Sequence, residues 1–342
     1  MKNVCIVATN YALLLYLIKM SDDDIKHTFF IFDCSMPTTT GKNIDQLYRM
    51  PNYSFTSHFL KRLILRYNYL KLNFSSNISI YAQDHFLAAE VFIGKKDYTF
   101  IEDSAKICSK YYQSKDGIAY LKKSKRLNVK LKQFFQGSLY GGKFAHNNQV
   151  KELLLTEEDD ADFISGKPRL FVPTINHELW LSFSEWKRRF ILKTFGVNEL
   201  FFEQLKKDSI LLLTQPLTES RGFSTDDQIE VYKNIICNYP SEKVIIKTHP
   251  RDLQIKYEEY FPMCVVIRES FPSEFFNFYD IHFSRIATAF SYSVKPFIGK
   301  TPVDWYGSKV TKKLFQIQGT IDAPIGVNVI NSNSSQDTLQ SF

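Results

Sequence analysis

The sequence predicts an α/β fold made of two domains, each built on a parallel sheet. Short apolar runs rich in β-branched residues alternate with longer stretches of helical periodicity, the pattern of successive βα units. The pattern runs from the amino terminus and starts afresh near residue 210. At 342 residues the chain is long for one core and natural for two. The reading divides it into a first domain over 1–170, connecting helices over 171–208, a second domain over 209–330 and a frayed Ser/Asn/Gln-rich tail over 331–342.

Taken in order, Val4–Ala8 reads as the first strand, Tyr11–Met20 as a helix and Thr28–Phe32 as the second strand. A polar loop with Pro37 and Pro51 leads to an amphipathic helix around Ser57–Tyr69 and a strand at Ile78–Tyr81. That strand ends in Ala82-Gln83-Asp84-His85, ahead of an apolar helix over Phe86–Phe92; the next, Tyr98–Ile101, ends in Glu102-Asp103-Ser104. Parallel strands share a carboxyl edge, so both polar clusters are expected in one crevice. From Lys106 to Ser165 the periodicity is weak, and the acidic run Glu157–Asp162 reads as a solvated loop, as does Asp22-Asp23-Asp24.

Beyond Pro168 and Pro173, helices are expected at Ser182–Thr194 and Val197–Lys207. The second domain opens on strand Ile210–Thr214, followed by Gln215-Pro216, a polar loop and a helix from Ser224 to Asn238. Ser224 with Asp227 three positions on forms a capping box with a carboxylate in the Glu/Gln place. Strand Lys243–Lys247 delivers Thr248-His249-Pro250-Arg251. Pro250 donates nothing to a ladder and biases His249 toward an extended backbone, which holds the imidazole at the strand end beside the Arg251 cation. Val265–Ile267 reads as a strand, Pro272–Phe276 as a helix start and Ile281–Ser284 as another strand end.

Composition excludes several classes. Hydrophobic residues make up 44% and charged residues 23%, the values of an ordinary globular protein. Cys5, Cys34, Cys108, Cys237 and Cys264 are scattered singly, without a CxxC pair, against a disulfide framework or structural zinc and in favour of a reducing cytoplasm. The amino terminus enters a strand directly, so neither secretion nor a membrane span is expected. The net charge of +7 gathers at Lys122, Lys123, Lys125, Arg126, Lys130 and Lys132 and again at Lys187, Arg188 and Arg189. No nucleic-acid-binding signature accompanies it, which favours peripheral contact with an acidic membrane surface over nucleic acid. The absence of GxxxxGK[ST] and GxGxxG argues against ATP-dependent phosphoryl transfer and dinucleotide redox chemistry.

Hydroxyls, a histidine and an arginine at strand ends of one domain, and carboxylates and an amide in the other, suit group transfer from a phosphate leaving group. Such a reaction needs a base for the acceptor hydroxyl and a group that stabilises the departing phosphate. The order Glu102-Asp103, Leu213-Thr214-Gln215-Pro216, Lys247-Thr248-His249-Pro250-Arg251, Phe283-Ser284-x-x-x-Thr288 resembles the bacterial lipooligosaccharide sialyltransferases of glycosyltransferase family 52. The resemblance implies a GT-B fold, two Rossmann-like domains facing across a cleft, with CMP-sialic acid as donor, inversion at the anomeric carbon and no metal or other cofactor. It implies that His249 is the catalytic acid at the donor phosphate and that Ser284 and Thr288, with Gln215, Pro250 and Arg251, hold the donor. Gln83, Asp84, His85 and Glu102 are expected to meet a galactose-type acceptor of a lipooligosaccharide or capsule. For the base, Asp103 and the donor-domain loop both qualify; within that loop Glu219, Asp226 and Asp227 are candidates, with Asp227 preferred. Related sialyltransferases carry Gly where this chain has Ser104. The resemblance also suggests a homodimer. Two readings compete with sialyl transfer: a GT-B transferase using another nucleotide sugar or a CDP-polyol, and a non-catalytic nucleotide-binding assembly protein.

Overall fold

A computed structural model describes residues 2–52, 58–72, 78–124, 126–127, 129, 143–205, 208–218, 224–250, 252, 255–289, 291–306 and 325–330. The chain divides into two compact units, one of Met1–Thr174 with Ser182–Phe195, the other of Ile175–Leu181 with Gly196–Phe342. The stretch 171–208, read as connecting helices, is shared between them. The tail 331–342 lies outside the described residues.

The first unit holds a parallel sheet of β1 (Asn3–Val7), β2 (Thr28–Phe32), β3 (Leu47–Arg49), β4 (Ser79–Ala82), β5 (Tyr98–Ile101), β6 (Val150–Leu155) and β7 (Arg169–Phe171), in the order β3-β2-β1-β4-β5-β6-β7. All five residues of β1 are buried, as expected of a central parallel strand covered on both faces. The strand order reverses between β1 and β4, which opens a crevice at their carboxyl ends. Helix α1 (Asn10–Lys19) leaves β1 through Thr9, whose hydroxyl accepts the Ala12 N–H at 3.3 Å. Seven consecutive residues of α1, Ala12–Ile18, are buried, so its carboxyl end needs an internal partner. Lys187 supplies it, donating to the carbonyls of Ile18 at 2.9 Å and Met20 at 2.6 Å. Burial pushes this lysine down to about 8. Lys187 therefore does not belong to a solvated basic patch; it fixes α8 (Glu185–Phe195) to the first unit.

The rest of this unit comprises α2 (Asp22–Lys26), α3 (His58–Leu72), α4 (Leu87–Ile93), α5 (Ile107–Gln113) and α6 (Lys115–Ser124). Two acidic runs read as solvated loops have local structure. Asp22-Asp23-Asp24 forms the first turn of α2, capped by Ser21, where carboxylates are favourable. Asp159 is buried and accepts the backbone N–H groups of Cys108 at 2.8 Å and Ser109 at 3.0 Å, at the start of α5.

The second unit contains β8 (Ile210–Leu213), β9 (Val244–Lys247), β10 (Val265–Ile267), β11 (Arg285–Thr288), β12 (Val303–Trp305) and β13 (Asn328–Val329), all parallel, in the order β10-β9-β8-β11-β12-β13. Its helices are α7 (His177–Ser182), whose last residue falls to the first unit, α9 (Glu199–Glu203), α10 (Thr225–Ile236), α11 (Ile255–Tyr260) and α12 (Phe275–Phe278). Phe202, Phe271, Phe275 and Phe276, four of the chain's 30 phenylalanines, pack ring against ring. The order reverses between β8 and β11, giving a second switch point.

Candidate active site

At the first switch point the polar residues after β1, β4 and β5 interlock. Gln83 is fully buried; its amide oxygen accepts the N–H groups of Ala8 at 2.6 Å and Thr9 at 3.2 Å. Its amide nitrogen donates to the Thr9 hydroxyl at 3.2 Å and to Asp103 Oδ1 at 2.6 Å. Gln83 thus fixes the β1–α1 turn and aims Asp103, which is half-buried and whose second oxygen has no partner among the described residues.

Glu102 points elsewhere and is fully buried. Its Oε1 accepts from the Tyr11 hydroxyl at 3.0 Å, the Thr156 N–H at 3.0 Å and the Thr156 hydroxyl. Its Oε2 has no hydrogen-bond partner, and burial raises the carboxyl to about 7. Asp84 forms a separate network. Its carboxylate accepts from the Tyr98 hydroxyl at 2.7 Å and from the N–H groups of Phe144 at 2.6 Å and Ala145 at 2.8 Å. Those two residues have φ of 50° and 64°, left-handed backbone that non-glycine residues adopt only with support. The His85 ring stacks on Phe144 with centroids 4.9 Å apart. The four predicted acceptor positions are therefore not one cluster: Gln83 meets Asp103, Glu102 meets Tyr11 and Thr156, and Asp84 and His85 secure the 144–145 turn.

At the second switch point Leu213 lies in register with Lys247 on one side and Thr288 on the other, so the segments after β9, β8 and β11 share one edge about 10 Å across. The backbone N–H of His249 donates to the Thr214 hydroxyl at 3.2 Å, and its carbonyl accepts the Asp252 N–H at 2.8 Å. The imidazole is half-buried and Pro250 is exposed. Gln215 is held by its backbone: its carbonyl accepts the Gln228 side-chain amide at 3.0 Å. Thr288 is buried; its hydroxyl donates to the Leu213 carbonyl at 3.0 Å and accepts the Ser291 N–H at 2.9 Å, clasping β11 to β8.

Other predicted residues of this unit lie apart from that edge or outside the described residues. Ser284 precedes β11 and lies at its amino edge, where its hydroxyl donates to the carbonyls of Asp208 at 3.0 Å and Ser209 at 3.1 Å. The sequence read Ile281–Ser284 as the end of a strand, whereas the strand begins only at Arg285, and the hydroxyl-rich segment at the carboxyl edge is Thr288 with Ser291 and Ser293. Asp227 takes part in the capping box: Ser224 Oγ accepts its N–H at 3.1 Å and donates to its carboxylate at 2.6 Å. Arg251 and Glu219 lie outside the described residues.

Lys247 and Thr248 belong to the motif around His249, but the sequence assigned neither of them a role. Lys247 is 5% exposed; its ammonium sits 4.1 Å from the Phe271 ring centroid with no hydrogen bond or ion pair among the described residues. Burial pulls it down to about 8, against the charges of Glu274 and Glu269, and pushes Glu274 up to about 7. Next to it, the buried Thr248 hydroxyl has no partner. A buried cation and a buried hydroxyl, both unmatched, are costly unless a ligand completes them. Among the described residues no group of three or more His, Cys, Asp or Glu side chains is placed to hold a metal ion.

The sequence profile of glycosyltransferase family 52 matches residues 54–311. The chain belongs to that family. An uncharacterised protein of Haemophilus influenzae is 29% identical over 331 residues, spanning 94% of this chain and 99% of that one. Among solved structures, the GT-B domain of a Photobacterium damselae sialyltransferase superposes with a TM-score of 0.56 at 13% identity, covering 89% of this chain and 91% of that one. A Photobacterium sp. JT-ISH-224 2,6-sialyltransferase, solved with CMP and lactose, gives 0.55 at 10% identity over 89% of this chain and 71% of that one. At such identities the likeness is one of fold: this family 52 glycosyltransferase has the GT-B architecture.

The Glu102 carboxyl gives this glycosyltransferase a measurable pH signature. Its folded pKa of about 7 stands above the ordinary glutamate value of 4.5. The unfolded chain therefore releases this proton first as pH rises, and the native state loses stability between those values, levelling off above 7. The full loss is about 3 kcal/mol. Glu102→Gln keeps an Oε1 acceptor for Tyr11 and Thr156 and carries no charge. The variant is expected to match the parent in thermal unfolding at pH 5 and exceed it at pH 8; equal midpoints at both pH values would refute the buried neutral acid.

Proposed function

We propose that this family 52 glycosyltransferase is an inverting sialyltransferase that uses CMP-sialic acid as donor and a terminal galactose-type sugar of a bacterial surface glycan as acceptor. The observation that carries the reading is the carboxyl edge of the second sheet, where His249, the Thr288–Ser291 clasp and the unmatched Lys247 and Thr248 share three adjacent strand ends. That set suits a monoanionic phosphodiester joined to a nucleoside: cation and hydroxyls for the anion, imidazole for the leaving oxygen. The solved 2,6-sialyltransferase of similar fold, with its CMP and lactose, supports the donor and acceptor classes.

In this reading the acceptor hydroxyl oxygen forms a bond to the anomeric carbon while the bond from that carbon to the CMP phosphate oxygen breaks with its electron pair. Asp103, aimed by Gln83, takes the hydroxyl proton. His249 gives a proton to the departing phosphate, and the attack from the opposite face inverts the centre. Asp103 is the better base because Asp227 engages its own helix cap. The chemistry calls on no metal.

The test is CMP release from CMP-sialic acid by purified protein, with and without lactose. Acceptor-stimulated release is expected. Release only from CDP- or UDP-linked donors would replace the sialyl reading with another transfer, and CMP binding without release from any donor would mark a non-catalytic protein.

A further inference from the structure

We infer that Gln228 is a positioning residue of the donor site, holding the turn of His249 and the loop of Gln215 at the separation that one nucleotide donor requires. The inference rests on the role proposed for His249 at the donor phosphate. Gln228 is fully buried and shares the inner face of α10 with Ile229, Val231, Tyr232, Ile235 and Ile236, where an aliphatic side chain would serve packing without needing hydrogen bonds. Both ends of its amide are engaged. Oε1 accepts the Thr218 N–H at 3.0 Å, the Thr218 hydroxyl at 2.7 Å and the Lys256 ammonium at 3.0 Å. Nε2 donates to the Gln215 carbonyl at 3.0 Å, Asp252 Oδ2 at 3.1 Å and the Tyr257 hydroxyl at 2.7 Å. The Thr218 N–H and the ammonium can only donate, and the carbonyl and carboxylate only accept, so the partners fix which way the amide faces.

At the carboxyl edge the Thr214 N–H still donates to the Lys247 carbonyl at 3.2 Å. Beyond that bond the chain leaves β8 as a loop and β9 as the histidine turn, and Gln228 bridges the two. On the loop side it holds Gln215 and Thr218, while Tyr232, four residues on and on the same helix face, accepts the Gln215 N–H at 2.7 Å. The backbone of Gln215 is thus pinned at both polar groups. Its side chain is half-buried and makes no hydrogen bond among the described residues, which leaves its amide for a ligand. On the turn side Asp252, which Gln228 meets, donates its N–H to the His249 carbonyl at 2.8 Å. Gln228 therefore reaches the chemistry through geometry, and a misplacement of about 1 Å can cost about 10²-fold in rate.

The test is a pair of double-mutant cycles on the full chain. In the first, turnover of CMP-sialic acid with lactose is measured for the parent, Gln228→Met, His249→Ala and the two combined, at a temperature where circular dichroism shows each of them folded. Methionine keeps the volume and loses the hydrogen bonds. Gln228→Met is expected to lower turnover by about 10²-fold in the parent but by no more than about twofold beside His249→Ala, because an absent ring cannot be misplaced. In the second cycle, calorimetry with CMP, Gln228→Met and Gln215→Ala should each weaken binding, and together hardly more than either alone. If Gln228→Met does not fold, Thr218→Val takes its place in both cycles, with an expected loss of about two- to tenfold for one hydrogen bond. Parental turnover in the Gln228 variant, or losses that multiply in either cycle, would overturn the inference and leave Gln228 a core residue only. Parental turnover in His249→Ala, or a parent that binds CMP without cleaving the donor, would instead fail the proposed function; the calorimetric cycle then decides by itself whether Gln228 places Gln215.

Discussion

His249→Ala is expected to lower the turnover of acceptor-stimulated donor cleavage by about 10²- to 10⁴-fold, the range for loss of a positioned general acid. The unfolding midpoint should stay within about 2 °C of the parent. In the proposed mechanism the two expectations separate, because the chemistry is assigned to the His249 ring while its backbone makes hydrogen bonds of its own. Its N–H donates to Thr214 and its carbonyl accepts from Asp252, and alanine keeps both groups. The conformational restriction by Pro250 also survives. CMP affinity, measured by calorimetry, should change much less than turnover, since Lys247, Thr248, Thr288 and Ser291 remain. Unimpaired transfer would remove His249 from the mechanism. A loss confined to the Michaelis constant would make it a binding group.

The architecture was legible where local pattern and burial agree. Strands Thr28–Phe32, Tyr98–Ile101 and Val265–Ile267 have the bounds their apolar runs suggest, and Ser224 caps its helix as the Ser-x-x-Asp spacing implies. Strand β6 was hidden between charged segments: Val150-Lys-Glu-Leu-Leu-Leu mixes buried and exposed positions without strict alternation. Strands β3 and β7 are three residues each, too short for periodicity to register.

The site was legible only as strand ends. His249, Gln83 and Thr288 stand at carboxyl edges because polar residues closing an apolar run have few other places to go. Ser284 shows the limit of that inference. A strand that begins with Arg285, whose guanidinium reaches the Asp304 carboxylate at 2.8 Å, has a polar residue at its start, and the apolar run before it misled the placement. Tertiary roles left no local mark. Asp159 and Lys187 look like surface charges, yet each completes backbone groups at a helix end supplied by distant sequence. Lys247 ends an apolar run like any strand-terminal lysine, and only the packing of Phe271 against it reveals a buried cation.

The largest stability effect is expected at Asp252, two residues beyond Pro250. Its side chain is fully buried. Oδ2 accepts from the Tyr257 hydroxyl at 2.6 Å, the Gln228 amide at 3.1 Å and the Thr214 hydroxyl at 3.2 Å, and Oδ1 pairs with Lys256 Nζ at 2.5 Å. Through these bonds one carboxylate joins the end of β8, helix α10 and helix α11 to the turn that carries His249. Asp252→Ala leaves the Lys256 ammonium, 8% exposed at its side chain, without its counter-charge, although it still donates to Gln228 Oε1 at 3.0 Å. Breaking a buried pair from one side costs about 3–5 kcal/mol. The thermal transition of the second unit should fall on the order of 10 °C. Adding Lys256→Met removes the stranded charge and should recover part of the loss, a coupling that a double-mutant cycle reads directly. If Asp252→Ala unfolds within 1 °C of the parent, or the second substitution only adds to the damage, the carboxylate does not hold the histidine turn in place. If the cycle shows the expected recovery while turnover stays low, the network's second role is to set the orientation of His249, because restoring charge balance does not restore the bonds to Thr214 and Tyr257.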